Sequence, residues 1–234
     1  MLKVIESAVP VECWSCSVAH NELTLFCPHC SKIQPPQEGN YFSVFSLEPR
    51  LNIDLAALEH EFHRLSRKLH PDRFGRASEN EKEWSLADTA LLNDAYRTLK
   101  DPIRRTEYLL KLHGAEIGEE HAGKNRRPNE MGASRAPADL LEEVFELNMQ
   151  LEEMRMAQAS GEDDPALKRS LTQAKQKFEG LLNAVDDALC GEWTAWDDGD
   201  ESARHAAQNK MVALLDRRRY LSNLVREVNE TLGA

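Results

Sequence analysis

Leu65-Ser66-Arg67-Lys68-Leu69-His70-Pro71-Asp72-Arg73-Phe74 decides the fold, because a strong helical pattern ends inside this stretch. Upstream, Leu55, Leu58, Phe62, Leu65 and Leu69 recur at three- and four-residue spacing, the period of a helix with one apolar face. Asn52 is its expected N-cap. Pro71 lacks an N–H and disfavours the α conformation at His70, so the helix stops at Leu69. Downstream, Trp84, Ala87, Leu91 and Leu99 predict a second helix over 80–99. Asp101-Pro102 reads as the N-cap and first residue of a third, which carries Tyr108 and Leu109. Residues 41–112 are thus expected to form a helical hairpin with a stiff acidic corner at its tip.

Arg64, Arg67 and Lys68 lie opposite the apolar stripe and make a basic face beside that corner. A basic helix face alone is ordinary solvated surface, and Pro71-Asp72 alone is an ordinary turn. The combination is rarer. A carboxylate on a rigid corner suits pairing with an Arg on a partner, and the neighbouring cations suit steering of an approaching protein.

Residues 113–137 hold almost no large apolar side chain and are expected to be a flexible linker. From 138 to 234 the helical period returns three times. The stripes are Leu140, Val144, Leu147, Leu151, Met154; then Leu167, Leu171, Ala174, Phe178, Leu182, Val185, Leu189 after Asp164-Pro165; then Met211, Leu214, Leu221, Val225, Val228, Leu232 over about 201–232. Three amphipathic helices bury their stripes only against one another, which predicts a three-helix bundle. The first carries a second apolar row, Leu141, Phe145 and Met149, mixed with Glu142 and Glu146 and turned about 100° from the core row. Two readings fit that row: a partner-binding face, or a wide apolar face covered by the preceding helical unit. Trp193 and Trp196 fall in an acidic turn between the last two helices, with partial packing expected, and Cys190 reads as a small core or helix-end residue.

At the N-terminal side, Cys13, Cys16, Cys27 and Cys30 form two C-x2-C pairs ten residues apart. Two such knuckles bring four thiolates to one tetrahedral ion, and residues 1–38 are too poor in apolar side chains to fold without a staple. A hairpin over Val18 to Phe26 is expected to join the knuckles, and Gln34-Pro35-Pro36 ends the module. Structural zinc, one ion, is the leading reading. A redox dithiol, a single iron or a transferred cluster are the competitors. His20 and His29 are surface residues on this reading, because four Cys already fill the ligand set.

The 234 residues carry a net charge of −11, which argues against general nucleic-acid binding. Residues 41–112 balance twelve basic against twelve acidic side chains, whereas 138–234 hold eleven against twenty, so the two regions should meet different partners. No apolar run is long enough to span a membrane. The first ten residues suit neither a secretory signal nor a transit peptide, so a bacterial cytoplasm is expected, with the mitochondrial matrix as the second choice.

Tyr41-Phe42, Phe45, Leu69 to Phe74, Leu92-Asn93-Asp94-Ala95-Tyr96, Leu99-Lys100-Asp101-Pro102 and Arg105-Thr106-Glu107-Tyr108-Leu109-Leu110 resemble the J domains, and among them the HscB type (Jac-type in mitochondria). A J domain usually has Lys after the His-Pro-Asp motif; Arg73 keeps the charge. The resemblance implies an all-α protein: a J domain, a C-terminal three-helix bundle and, ahead of both, a small tetracysteine zinc hairpin of the kind some HscB-type proteins carry. It implies a co-chaperone rather than an enzyme. His70, Pro71 and Asp72, with Arg64, Arg67 and Lys68, would contact a DnaK/HscA-type chaperone and stimulate its ATPase. Leu141, Phe145, Glu146 and Met149, with Tyr220 on the last helix, would bind the iron–sulfur scaffold protein (IscU type) and so promote cluster transfer. A general J-domain protein delivering unfolded clients is the alternative.

Overall fold

A computed structural model describes residues 11–20, 24–37, 39–117, 137–162 and 164–233. The fold is all-helical, as expected, apart from two-residue strands near the cysteines. The chain divides into two compact units, Met1–Leu109 and Leu110–Ala234. Among the described residues no helix is long and apolar enough to cross a membrane.

In the first unit, β1 (Val11–Glu12) pairs antiparallel with β2 (Ala19–His20). Then follow α1 (Tyr41–Val44), α2 (Leu55–Leu69), α3 (Glu79–Lys100) and α4 (Pro102–Leu112), the last running on into the second unit. Asp54, not Asn52, caps α2: its Oδ1 accepts from the amides of Ala56 and Ala57. Leu55 therefore sits in an end turn and is exposed, although its spacing placed it in the stripe. The α3 helix starts on a capping box, Ser78 with Glu81, which satisfies two end donors reciprocally. Its buried face is Glu81, Ser85, Asp88, Leu92, Ala95 and Leu99, turned by one residue from the expected Trp84, Ala87, Leu91 row. Three polar residues on the buried side cause the difference, because apolar periodicity does not register them.

Polar contacts then fix the helices. The Tyr41 amide donates to the Tyr108 hydroxyl at 2.8 Å, and the two rings stack at 4.4 Å, joining α1 to α4. Phe62 of α2 stacks on Tyr96 of α3 at 4.1 Å. Buried Arg105 donates from Nε to the Leu51 carbonyl at 2.9 Å and also to the Leu99 carbonyl. Asp101 caps α4 through Ile103 and Arg104, as Asp101-Pro102 predicts.

The second unit holds α5 (Leu141–Ser160), entered by a 3-10 turn over Ala138–Leu140, then α6 (Pro165–Gly191), α7 (Trp193–Asp198) and α8 (Glu201–Leu232). Leu140, Val144, Leu147, Leu151 and Met154 pack with Leu171, Phe178, Leu221, Leu224 and Val228 in one core. Asp164 and Pro165 open α6, and Gly161, at φ 73°, ends α5 in the left-handed conformation that favours glycine. The expected turn with Trp193 and Trp196 is the short helix α7, and both indoles are buried rather than partly packed. Gly199 ends α7: a Cβ there would stand 2.2 Å from the Ala195 carbonyl, so the close turn into α8 excludes larger residues. Within this unit His113 sets its ring edge-on to Trp196 at 5.0 Å, and Ile117 is buried. Of the expected linker, residues 118–136 lie outside the described residues.

Ser85, fully buried on α3, donates from Oγ to the Leu69 carbonyl at 2.8 Å. Leu69 is the last residue of α2, and its carbonyl has no helical partner because Pro71 ends the helix. Replacing Ser85 by Ala should leave that carbonyl buried and unsatisfied, at a cost of about 1–3 kcal/mol. Chemical denaturation of the first unit would check this.

Candidate functional site

The tip of the helical hairpin is set by backbone stereochemistry. His70 closes α2 at φ −55°, ψ 130°, the extended geometry that a residue before proline adopts. Pro71–Phe74 then form a 3-10 turn. The Asp72 amide donates to His70 Nδ1 at 3.3 Å, which places the imidazole over the turn. His70 Nδ1 lies 3.5 Å from Asp72 Oδ2, an ion pair only when the ring is protonated. The Asp72 side chain is 91% exposed. The corner thus presents a carboxylate to solvent from a backbone with little freedom.

The basic face flanks it, with each cation held differently. Arg64 pairs with Glu61 through two guanidinium nitrogens, Nε and Nη2, and that contact keeps the Glu61 carboxyl below the usual carboxylate range. Arg67 donates from Nε to the His63 carbonyl at 3.2 Å. Lys68 Nζ sits 5.5 Å from the centre of the Phe26 ring, within cation–π range. Phe26 belongs to the cysteine module, so that module adjoins the basic helix.

The two knuckles are built alike. Ser17 and Ser31 both take φ 58°, and their amides donate to the carbonyls of Cys13 and Cys27 at 2.9 Å. The Cys13 and Cys27 amides donate to Val18 and Lys32 carbonyls, closing a small loop around each pair. Among the described residues the pairing runs across each knuckle, Val11 with His20 and Phe26 with Ile33; of the hairpin expected over Val18 to Phe26, residues 21–23 lie outside the described residues. A turn that reverses the chain inside each pair leaves the neighbouring residues opposite each other, which accounts for this pairing.

The four Sγ atoms lie within 4.8 Å of one another. The Cys13–Cys30 and Cys16–Cys27 separations are 3.7 and 3.8 Å. An ion with four thiolates at about 2.3 Å needs tetrahedral edges of about 3.8 Å, so the set fits a metal ion. The Ser15 and His29 amides and the Gln34 side-chain amide each point at a sulfur from 3.4 Å, the outer shell expected around thiolate ligands. Burial pushes the Cys13 thiol up, but the Ser15 and Cys16 amides and the neighbouring thiols outweigh it and bring it down to about 6. For Cys16 the Val18 amide acts downward, yet burial together with Cys30, Cys13 and Cys27 pushes it up to about 12. Four thiolates this close cannot all ionise without a cation between them. His29 is exposed and outside the ligand set; the His20 side chain lies outside the described residues.

The module is seated on α3 by contacts that apolar spacing did not reveal. Trp14 meets Trp84 edge-on at 5.6 Å and donates from Nε1 to the Ile33 carbonyl at 2.7 Å. Lys32 Nζ pairs with Glu81 Oε1 at 3.0 Å and, with the Ser78 amide, holds the buried Glu81 carboxyl below its ordinary range.

On α5, Leu141, Phe145 and Met149 are 56%, 67% and 60% exposed. Met156, two turns further on, is also exposed, and Glu146 lies beside Phe145 on the same open side. The buried row of α5 is complete without them. Tyr220 is half-buried against the bundle core on α8, and burial pushes its hydroxyl pKa up.

No protein-family model matches the chain. It is similar to the iron–sulfur cluster co-chaperone protein HscB of Mus musculus, 31% identical over 226 residues, which cover 94% of this chain and 82% of that protein. A co-chaperone protein HscB homolog of Shewanella halifaxensis is 48% identical over 81 residues, 35% of this chain and 47% of the homolog. Among solved structures, the crystal structure of human co-chaperone protein HscB has a TM-score of 0.64 and 27% sequence identity, covering 94% of this chain and 98% of that one.

Metal removal should act locally. A strong chelator, or Cys13→Ser with Cys27→Ser, should shift Trp14 emission to the red as the indole leaves Trp84, while the helical signal of the chain stays nearly unchanged. Acid should do the same, because protons compete with the metal for thiolate sulfur. Fluorescence and circular dichroism, followed together during chelation, check both.

Proposed function

The chain belongs to the HscB family of iron–sulfur cluster co-chaperones, and on that premise we propose that it joins a DnaK/HscA-type chaperone to an IscU-type scaffold protein. The family is one of co-chaperones rather than enzymes. The observation that carries the proposal is the corner at His70-Pro71-Asp72, which presents an exposed carboxylate from a constrained backbone turn. Ordering costs are met before the partner arrives, so pairing with an Arg of the chaperone ATPase keeps most of its interaction energy. Arg64, Arg67 and Lys68 steer the encounter, with Lys68 acting from its seat over Phe26. Chaperone binding through this corner stimulates ATP hydrolysis, and simultaneous binding of the scaffold directs that stimulation to one folded client.

The scaffold-binding face is the row Leu141, Phe145 and Met149 with Glu146, and Tyr220 contributes the exposed part of its ring. Three large apolar side chains in line on one helix face make a row that a partner can desolvate. The surrounding carboxylates give the face its sign and disfavour acidic partners. In the module, Cys13, Cys16, Cys27 and Cys30 hold one structural zinc ion, since a closed set of four sulfurs with backbone N–H donors suits that ion. By this reading residues 1–38 are the zinc module, 41–112 the J domain, 113–137 the linker and 138–234 the scaffold-binding bundle.

Three outcomes check the proposal. Asp72→Ala should abolish stimulation of chaperone ATPase in steady-state assays; stimulation equal to wild type would sink the assignment of the corner. Replacing Leu141 and Phe145 together by Ala should weaken scaffold binding by on the order of a hundredfold or more, from lost apolar burial, with ATPase stimulation by the J domain retained. Elemental analysis should find one zinc per chain with no visible absorbance, whereas a coloured protein would point to iron.

A further inference from the structure

Asp88 lies midway along α3 with 1% of its surface exposed, and neither carboxylate oxygen has a hydrogen-bonding partner among the described residues. It borders a cavity of about 30 Å³ between three segments. Thr24 and Pro35 come from the cysteine module, Gln37 and Asn40 from the stretch that leads to α1, and Ser43 from α1 itself. The cavity is therefore on the seam by which the module is seated on the J-type helices.

Among the described residues the walls offer no charge to balance an ionised carboxylate, only neutral polar groups. No Lys, Arg, His or second acid among the described residues lines the cavity. Glu83 and Asp94 leave α3 on exposed faces, Glu81 is paired with Lys32, and on α1 the Tyr41 ring stacks on Tyr108. On α2, Arg64 and Arg67 are exposed and Lys68 sits over Phe26. The hydroxyls on the walls are already committed: Thr24 Oγ1 donates to the Phe26 carbonyl at 2.9 Å and Ser43 Oγ to the Asn40 carbonyl at 2.6 Å. Both polar atoms of the Gln37 amide are buried without a partner among the described residues, so its carbonyl oxygen is free to accept from a protonated acid. An ionised carboxylate here would be desolvated with no cation, and a neutral one is compatible with the walls.

We propose that Asp88 is a protonation-controlled latch: as a neutral acid it keeps the metal module seated on α3, and its ionisation draws water into the seam and loosens the module. The module wall yields first, because the other side of the cavity is built of helices α1 and α3. Burial with no compensating charge raises the Asp88 carboxyl from 3.8 to about 7, so the latch is poised at neutrality. A carboxyl whose folded-state value is raised favours the seated state in acid. That preference falls by up to tenfold for each pH unit between the two values and levels off above about 7. This goes beyond the assignment of chaperone and scaffold and stands or falls without it.

The test uses the full chain saturated with metal. Hydrogen exchange, corrected for its intrinsic pH dependence, is followed for amides of Leu25 to Gln37 between pH 6 and 8.5 in wild type and in Asp88→Asn, which keeps the shape and cannot titrate. Protection should fall several-fold to about tenfold across pH 7 in wild type and stay flat in Asp88→Asn. Parallel profiles would overturn the latch. The ¹³C shift of the Asp88 carboxyl, read on wild type alone, gives a second measure that does not depend on the variant's folding. A midpoint near 7 supports the proposal, and one near 4 refutes it. A midpoint that drops when potassium replaces a bulky cation at fixed ionic strength would mark the cavity as a cation site and also overturn it.

Discussion

The carbonyl of Leu69 is the point on which the first unit turns. Proline two residues later removes any chance of an intrahelical partner, and the chain must leave at a steep angle. A buried, unpaired carbonyl at that place would favour fraying of the last turn, and the corner would move with it. Ser85 supplies the missing donor from the middle of α3. One hydrogen bond therefore ties the end of one helix to the body of the next, and the exposed Asp72 carboxylate inherits the rigidity of both.

The same constraint explains why α3 has a polar buried side. A helix that packs with leucines alone would have no donor for Leu69 and no anchor for a module with almost no core. Glu81 pairs with Lys32 and Ser85 satisfies the α2 terminus, while Trp84 beside them receives Trp14. The helix thus carries the hairpin on one side and the cysteine module along its first half, and Asp88 marks where those two jobs meet. Lys68 over Phe26 adds a direct contact between the module and the basic face.

Features with a local cause were legible in the sequence. Pro71 stops a helix, Asp101-Pro102 and Asp164-Pro165 start helices, and C-x2-C brackets a turn, each whatever the rest of the chain does. The stripes of the bundle were legible for a related reason: in α5 and α6 nearly all buried residues are apolar, so counting apolar residues finds the buried face. On α3 the same count landed one residue away, because Ser85 and Asp88 are buried for their hydrogen-bonding or titrating groups and Trp84 is apolar for a partner outside the hairpin. The cap of α2 also went to Asp54, where the carboxylate reaches two amides, and not to Asn52. Trp193 and Trp196 looked like a turn because acidic residues and Gly199 surround them, yet three residues apart on one face suffice to bury both. What stayed hidden were contacts between segments far apart in sequence.

The exposed row on α5 raises a question of rotational register. Apolar residues occur on two faces of this helix, so hydrophobic burial alone only weakly distinguishes the observed orientation from one rotated by about 100°, which would bury Phe145 and expose Val144. The charged pairs make the distinction. Arg217 grips Asp139 through two hydrogen bonds of 3.0 and 2.7 Å at the entry of α5, Lys177 reaches Glu143 at 3.2 Å, and Arg155 reaches Glu227 at 2.7 Å near the other end. Singly such surface pairs contribute little stability. Placed on both sides of the buried row and at both ends, they fail together if the helix rotates, because each acid or base would swing away from its fixed partner on α6 or α8. The acidic composition of this region thus has a structural use as well as a surface one: carboxylates hold the helix by its flanks so that its second apolar row stays turned outward.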